Sequence, residues 1–205
     1  MTISEGENNR VSDRLSQEDD AELVRIARLQ LPYVTTAYEV LFHRYHKKLI
    51  RVCYRYLGST QEAEEAVNDT MLNVFNSLAK FEDRASFKTW IYRIAHNQAL
   101  TRLRKKQLDL VDLDEAEHVA VDDTQNSLTA GEEGIDHLLA QLSLEERSIV
   151  VFRIAGDLDF GDIALVVEEK LSTVKMRYKR ALEKMAVSAR SEDQDKYITQ
   201  SIFKC

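Results

Sequence analysis

One proline and six glycines serve a chain of 205 residues. So few breakers and turn formers argue against a turn-rich β architecture and for helices with short connections. Cysteine is nearly absent too. Cys53 and Cys205 are far apart and match no metal or redox spacing, so they read as free thiols of a reducing cytoplasm. No apolar run is long enough to span a bilayer, and no charged and apolar pair of segments opens the chain as a leader would. The expectation is a soluble, cytoplasmic protein without membrane insertion. Glycine-rich phosphate loops and nucleophile motifs are also missing. The chain therefore reads as no enzyme, with no catalytic residue, no cofactor and no metal. One alternative is a metal site from His43 and His46, at i,i+3 spacing, with Cys53 on the same helical stretch. No carboxylate cluster or second motif supports it.

What the chain does have is charge, unevenly placed. The formal net charge is −7. Residues 1–20 hold six acids and two bases; residues 21–107 carry a net +7. Residues 108–137 hold ten acids and no Lys or Arg. That aromatic-free segment cannot bury enough apolar surface to offset its ordering entropy, so it reads as a flexible linker. The basic surface is local.

The block before the linker is helical in pattern. Leu23, Val24, Ile26 and Ala27 begin it, stopping before Pro32. Tyr38, Leu41, Phe42, Tyr45, Leu49, Ile50, Cys53 and Leu57 continue at helical spacing, and Gly58 ends that helix. Ala63, Ala66, Val67, Met71, Val74, Phe75 and Leu78 form the next stripe. After a loop around 81–88, Trp90, Ile91, Ile94, Ala95, Ala99 and Leu103 share one face, with Arg93, His96, Asn97, Thr101 and Arg104 largely on another. The helix is expected to run out in the basic RLRKK, which suits its dipole. After the linker, Ser143 and Glu146 form a capping box, Gly156 stops that helix, and two helices at about 160–167 and 172–187 follow across a joint of about four residues. No β alternation appears. The fold class is all-α: two small helical domains joined by an acidic flexible linker, the second a helix-turn-helix domain.

In 158–182, Phe160, Ile163, Ala164, Val167, Val174, Tyr178 and Leu182 are expected to face a core. Ser172, Thr173, Lys175, Met176, Lys179 and Arg180 then point outward near the start of the second helix, where a recognition helix meets the major groove. In 81–100, FEDRASFKTWIYRIAHNQAL, rings and bases interleave. Exposed rings beside bases suit unpaired nucleotides, because a base can stack on a ring. A loop of Ser86, Phe87, Lys88 and Thr89 leading into Trp90 could wrap an unstacked base.

These segments together resemble bacterial sigma factors of the sigma-70 family, specifically the small extracytoplasmic-function (ECF) group with regions 2 and 4 only. Residues 22–57 resemble the start of region 2, and EAEEAVNDTMLNVF (62–75) the segment that docks on the polymerase clamp. Residues 81–106 resemble the strand-opening loop and −10 reading helix, and residues 142–185 resemble region 4. The resemblance implies an alternative sigma factor that binds core RNA polymerase and directs promoter-specific initiation. Glu62, Glu64, Glu65, Asn68 and Asp69 would face the β′ clamp helices. Ser86, Phe87, Lys88, Thr89 and Trp90 would capture a flipped −10 base, while Tyr92, Arg93, His96 and Asn97 would contact the opened strand. Ser172, Thr173, Lys175, Met176, Lys179 and Arg180 would read the −35 element, on a domain that meets the β flap. The implied division is an acidic, unstructured N-terminus (1–20), region 2 (21–107), a linker near the RNA path (108–137), region 4 (138–190) and a C-terminal extension (191–205). The implied partners are core polymerase, promoter DNA and an anti-sigma factor. A regulatory kinase is a further candidate, since Ser59, Thr60 and Thr70 flank the proposed clamp face.

The sequence departs from the family pattern at Glu168. It occupies the helix-turn-helix turn where glycine is usual, so the turn is expected to be reshaped. Ser172 also stands where the family often has glycine. The rival function is a helix-turn-helix regulator that acts on duplex DNA without being a polymerase subunit. It would leave residues 62–75 and 81–90 unexplained.

Overall fold

The computed structural model describes residues 11–112 and 133–202, with side chains at 11–106 and 135–189. There is no strand among these residues, so the fold is all-α. The chain divides into two compact units, Met1–Glu115 and Ala116–Cys205.

The first unit is built on α1 (Asp20–Gln30), α2 (Thr36–Leu57), α3 (Thr60–Ser77) and α4 (Phe87–Asp112). Local chemistry sets most of these boundaries. The Asp19 carboxylate caps α1 by accepting from the Glu22 N–H at 2.8 Å. Gly58 ends α2 in the left-handed region at φ 70°, its N–H bonded to Tyr54 O, a conformation that a Cβ would strain. Ser59 starts α3 by accepting from the Glu62 N–H. A 3-10 turn, Leu78–Lys80, follows α3. The core holds Leu23, Leu41, Leu49, Val52, Met71 and Ile91 from all four helices. Each fully buried aliphatic side chain there contributes about 1.5–3 kcal/mol. Cys53 is also fully buried. The buried Tyr38 hydroxyl is satisfied: its Oη donates to Met71 O at 2.6 Å.

Two expectations about segment ends are corrected in this unit. Residues 11–15 are helical, and Arg44 donates to the carbonyls of Ser16 (3.1 Å) and Glu18 (2.8 Å). Arg44 and Tyr45 both bond the Asp20 carboxylate. The second half of the acidic N-terminus is therefore tied down by a cation from α2; residues 1–10 lie outside the described residues. Likewise α4 continues to Asp112, so the basic RLRKK run lies inside a helix and not at its end.

The second unit contains α5 (Glu133–Ala140), α6 (Leu144–Ile154), α7 (Phe160–Val167) and α8 (Leu171–Ile202). The segment 108–137 is thus helical at both ends, and its middle, 113–132, lies outside the described residues. The Ser143–Glu146 capping box forms as expected. Glu146 is buried and also accepts both of its 2.7 Å bonds from Lys184 of α8. The core is Leu139, Leu142, Ile149, Phe152, Leu158, Ile163, Val166, Val174 and Ala181. Leu182, expected inside, is 40% exposed while its neighbour Ala181 is fully buried. The small side chain lets α8 approach its neighbours closely. The helix expected over 172–187 extends to Ile202, through most of the C-terminal extension.

Candidate nucleic-acid and polymerase interface

Ser86 begins α4. Its hydroxyl accepts from the Thr89 N–H at 3.1 Å and lies 2.7 Å from the Thr89 hydroxyl, and its carbonyl accepts from the Trp90 N–H. From this start, α4 runs between the other helices, and its burial is broad. Phe87, Thr89, Tyr92 and His96 are all buried. All four were expected to touch DNA, and in this structure their side chains are turned from solvent. Thr89 is part of the cap. Phe87 packs edge-on to Tyr45 at 5.6 Å, Tyr92 lies 6.4 Å from the same ring, and His96 lies 5.6 Å from the Tyr56 ring. In this structure they pack beneath the other members of the set.

The surface itself is made by the other members of the set. Ser86, Arg93 and Asn97 are exposed; Lys88 and Trp90 are half-buried. The indole of Trp90 rests on Phe81 at 4.7 Å and near Phe87 at 5.9 Å. Trp90, Arg93 and Asn97 are spaced for one helical face, and Thr101 and Arg104, both exposed, prolong it. Both are polar positions in the sequence pattern that lie outside the expected site residues. Their spacing of four and seven from Asn97 was the available signal.

On α3, Glu64, Glu65, Asn68 and Asp69 are exposed and Glu62 is half-buried. The pairing of α4 with this face is not among the sequence expectations. Arg102 bridges Glu65 (3.1 Å) and Asp69 (2.5 Å), and Lys106 meets Glu62 at 3.3 Å. The α4 bases therefore divide: Arg93 and Arg104 face outward, while Arg102 and Lys106 partly neutralise α3. Two i,i+4 ladders of opposite sign, 65/69 and 102/106, were the missed sign of this pairing. Of the three hydroxyls beside this face, that of Thr70 is fully buried and donates to Ala66 O at 2.7 Å. It is closed to modification in the folded chain. Ser59 is a helix cap.

In the second unit, α7 and α8 are joined by Glu168, Glu169 and Lys170 alone. Glu168 adopts φ 57°, ψ 40°, and its N–H bonds Ala164 O. The turn expected to be reshaped keeps its left-handed residue. Glu169 secures the geometry by pairing with Arg177 at 3.1 Å. Beyond it, Ser172, Lys175, Met176, Lys179 and Arg180 are exposed and Thr173 is half-buried. This is the polar and basic first half of a recognition-type helix.

The metal alternative fails on geometry. His43 is exposed, His46 stacks on Phe42 at 4.7 Å, and Cys53 is in the core. Burial pushes the Cys53 thiol up to about 12, so it is neither a ligand nor a nucleophile at neutral pH. Among the described residues, no cluster of three or more His, Cys, Asp or Glu could hold a metal ion.

Comparison with known proteins covers both units. Residues 41–108 match the family model for sigma-70 region 2 and residues 132–185 that for sigma-70 region 4. The chain is 28% identical over 154 residues to the ECF RNA polymerase sigma factor SigW of Bacillus subtilis, covering 68% of this chain and 81% of that protein. It is 27% identical over 183 residues to the RNA polymerase sigma-H factor of Pseudomonas aeruginosa, covering 82% and 93%. In fold it is similar to CnrH, solved with the cytosolic domain of CnrY (TM-score 0.63, 19% identity, 84% of this chain and 97% of that one). It is also similar to the sigma factor RpoE of Bartonella quintana, solved with the anti-sigma factor NepR (TM-score 0.62, 21% identity, 74% and 95%). The chain belongs to the sigma-70 family of transcription initiation factors. Within it, this is an alternative sigma factor of the ECF group, directing transcription initiation.

Proposed function

We propose that the two units divide promoter recognition between them, the first acting on the −10 element and the core polymerase, the second on the −35 element. The observation that carries this reading is the stripe of half-buried Trp90 and exposed Arg93 and Asn97, set beside Ser86 and Lys88 over a ring-packed floor. A ring, cations and an amide on one face suit an unpaired strand, because stacking contributes ~1–3 kcal/mol per base without requiring a duplex. Ser86, Lys88 and Trp90 line the place for a flipped −10 base. Ser172, Thr173, Lys175, Met176, Lys179 and Arg180 meet the −35 major groove, assisted by the free N–H groups that open α8. Glu62, Glu64, Glu65, Asn68 and Asp69 form the acidic face for the β′ clamp helices, and the second domain meets the β flap. The factor works in the cytoplasm and catalyses no reaction itself; a net charge of −7 keeps its own attraction for DNA low. An anti-sigma factor is its restraint, as supported by the fold neighbours bound to the CnrY cytosolic domain and to NepR.

The test is strand opening. Holoenzyme carrying Lys88→Ala and Asn97→Ala should assemble normally. Permanganate reactivity of −10 thymines on duplex promoter should fall at least about tenfold, the equivalent of one lost stack. A template with a pre-opened −10 bubble should recover most of the lost transcription, because the unpairing cost is removed in advance. Normal reactivity on duplex DNA would overturn the reading. Tight binding of duplex promoter by the free protein would favour a regulator that acts without polymerase.

A further inference from the structure

The wall of the proposed base-capturing loop is held by one side chain far away in sequence. Arg28, on α1, donates from Nε to Leu78 O at 3.2 Å. One terminal nitrogen of the same guanidinium bonds Phe81 O, and the other meets the Asp83 carboxylate at 2.9 Å. The guanidinium carbon also lies over the Phe81 ring, 5.3 Å from its centroid. Leu78, Phe81 and Asp83 all belong to the segment that links α3 to α4. Asp83 is held there in the left-handed region at φ 54°, where a residue with a Cβ needs support from its surroundings. Phe81 in turn is the ring beneath Trp90. A single cation therefore fixes two carbonyls, the carboxylate of a residue with a strained backbone, and the floor under the half-buried indole.

We propose that Arg28 is a positioning residue for strand opening: it preforms the 81–86 segment so that an unpaired base meets an ordered site. The inference rests on the reading of residues 86–97 as the unpaired-strand site. The chemistry requires arginine specifically. A guanidinium presents five N–H donors in a rigid plane and can serve acceptors in different directions while its face stacks on a ring. A lysine keeps the charge but cannot hold all three acceptors. Without the fork, the segment must be ordered during base capture, and that cost falls on the opening step.

The experiment uses the full chain in holoenzyme with Arg28→Lys, and with Arg25→Ala as a control, since Arg25 pairs with Glu22 on its own helix. Core affinity should change less than twofold in both. In Arg28→Lys, amide exchange at residues 82–86 should accelerate. Affinity for a single-stranded −10 oligonucleotide and permanganate reactivity on duplex promoter should fall roughly 10- to 100-fold, the scale of a misplaced site. A merely structural role would lower core affinity and −35 binding as well. The Lys88→Ala/Asn97→Ala variant separates the two claims: if it opens DNA normally, the site reading itself fails. If it is impaired while Arg28→Lys opens DNA normally, the role of Arg28 is overturned. Should Arg28→Lys not fold, Asp83→Ala removes only the exposed carboxylate arm. Reduced opening with normal core affinity then supports the proposal, and unchanged opening overturns it.

Discussion

Glu168 shows how one side chain can oppose its backbone and still leave the element intact. Its left-handed conformation costs a residue with a Cβ roughly 1–2 kcal/mol. The turn is kept because both neighbouring helices are anchored, by Ile163 and Val166 on one side and Val174 on the other, all buried. Glycine at this position would remove the strain but give the unfolded chain more freedom, a cost of ~0.4–1 kcal/mol. Glu168→Gly should therefore stabilise the second unit by about 1 kcal/mol and raise its Tm by roughly 4–8 °C in scanning calorimetry. A lowered Tm would mean that the glutamate side chain contributes more than the strain costs. Promoter use should change little, because the turn keeps its geometry.

At the scale of the element, the Glu146 carboxylate joins α6 to α8 and caps α6 at once. The Lys184 ammonium and the capping-box N–H of Ser143 hold its pKa below the usual 4.5. A folded-state pKa below the unfolded value means stability that is fully present above about pH 4.5 and is lost as pH falls through the folded value. Lys184 is half exposed, so solvent screens the pair and a contribution of about 1 kcal/mol is expected. Glu146→Gln should lower the stability of the second unit by that amount at pH 7 and flatten its dependence on pH below 5, as read by denaturant titration. An unchanged acid limb would place the titration elsewhere. The same element scale explains what was legible along the chain. The Ser143–Glu146 box, Gly58 and the 160–167 helix are written in local residue types, and local capping chemistry decides them. The faces of α4 are not. Phe87, Tyr92 and His96 lie on a helix covered on more than one side, so their burial depends on neighbours contributed by α2. Arg28 and the Arg102 bridge are likewise products of packing across more than thirty residues of sequence.

For the whole molecule, the all-α class, the family and the role in initiation were all legible, because two separate motifs stand in a recognisable order. What sequence could not supply was the division of each motif into supporting and presenting side chains. One further feature acts at this scale. Cys53 sits in the middle of the first unit's core, and burial keeps its thiol protonated. In a Cys205→Ser chain, a thiol reagent could therefore reach Cys53 only when that core opens. Its labelling should run at least about 10³-fold slower than that of an exposed thiol. In the proposed reading, core polymerase binds the first unit when it is folded and not when it is opened. A hundredfold excess of core over its Kd should thus slow the reaction about a further hundredfold. The chain carries its own chemical clock, from which the affinity for polymerase can be read with no promoter, no nucleotides and no transcription.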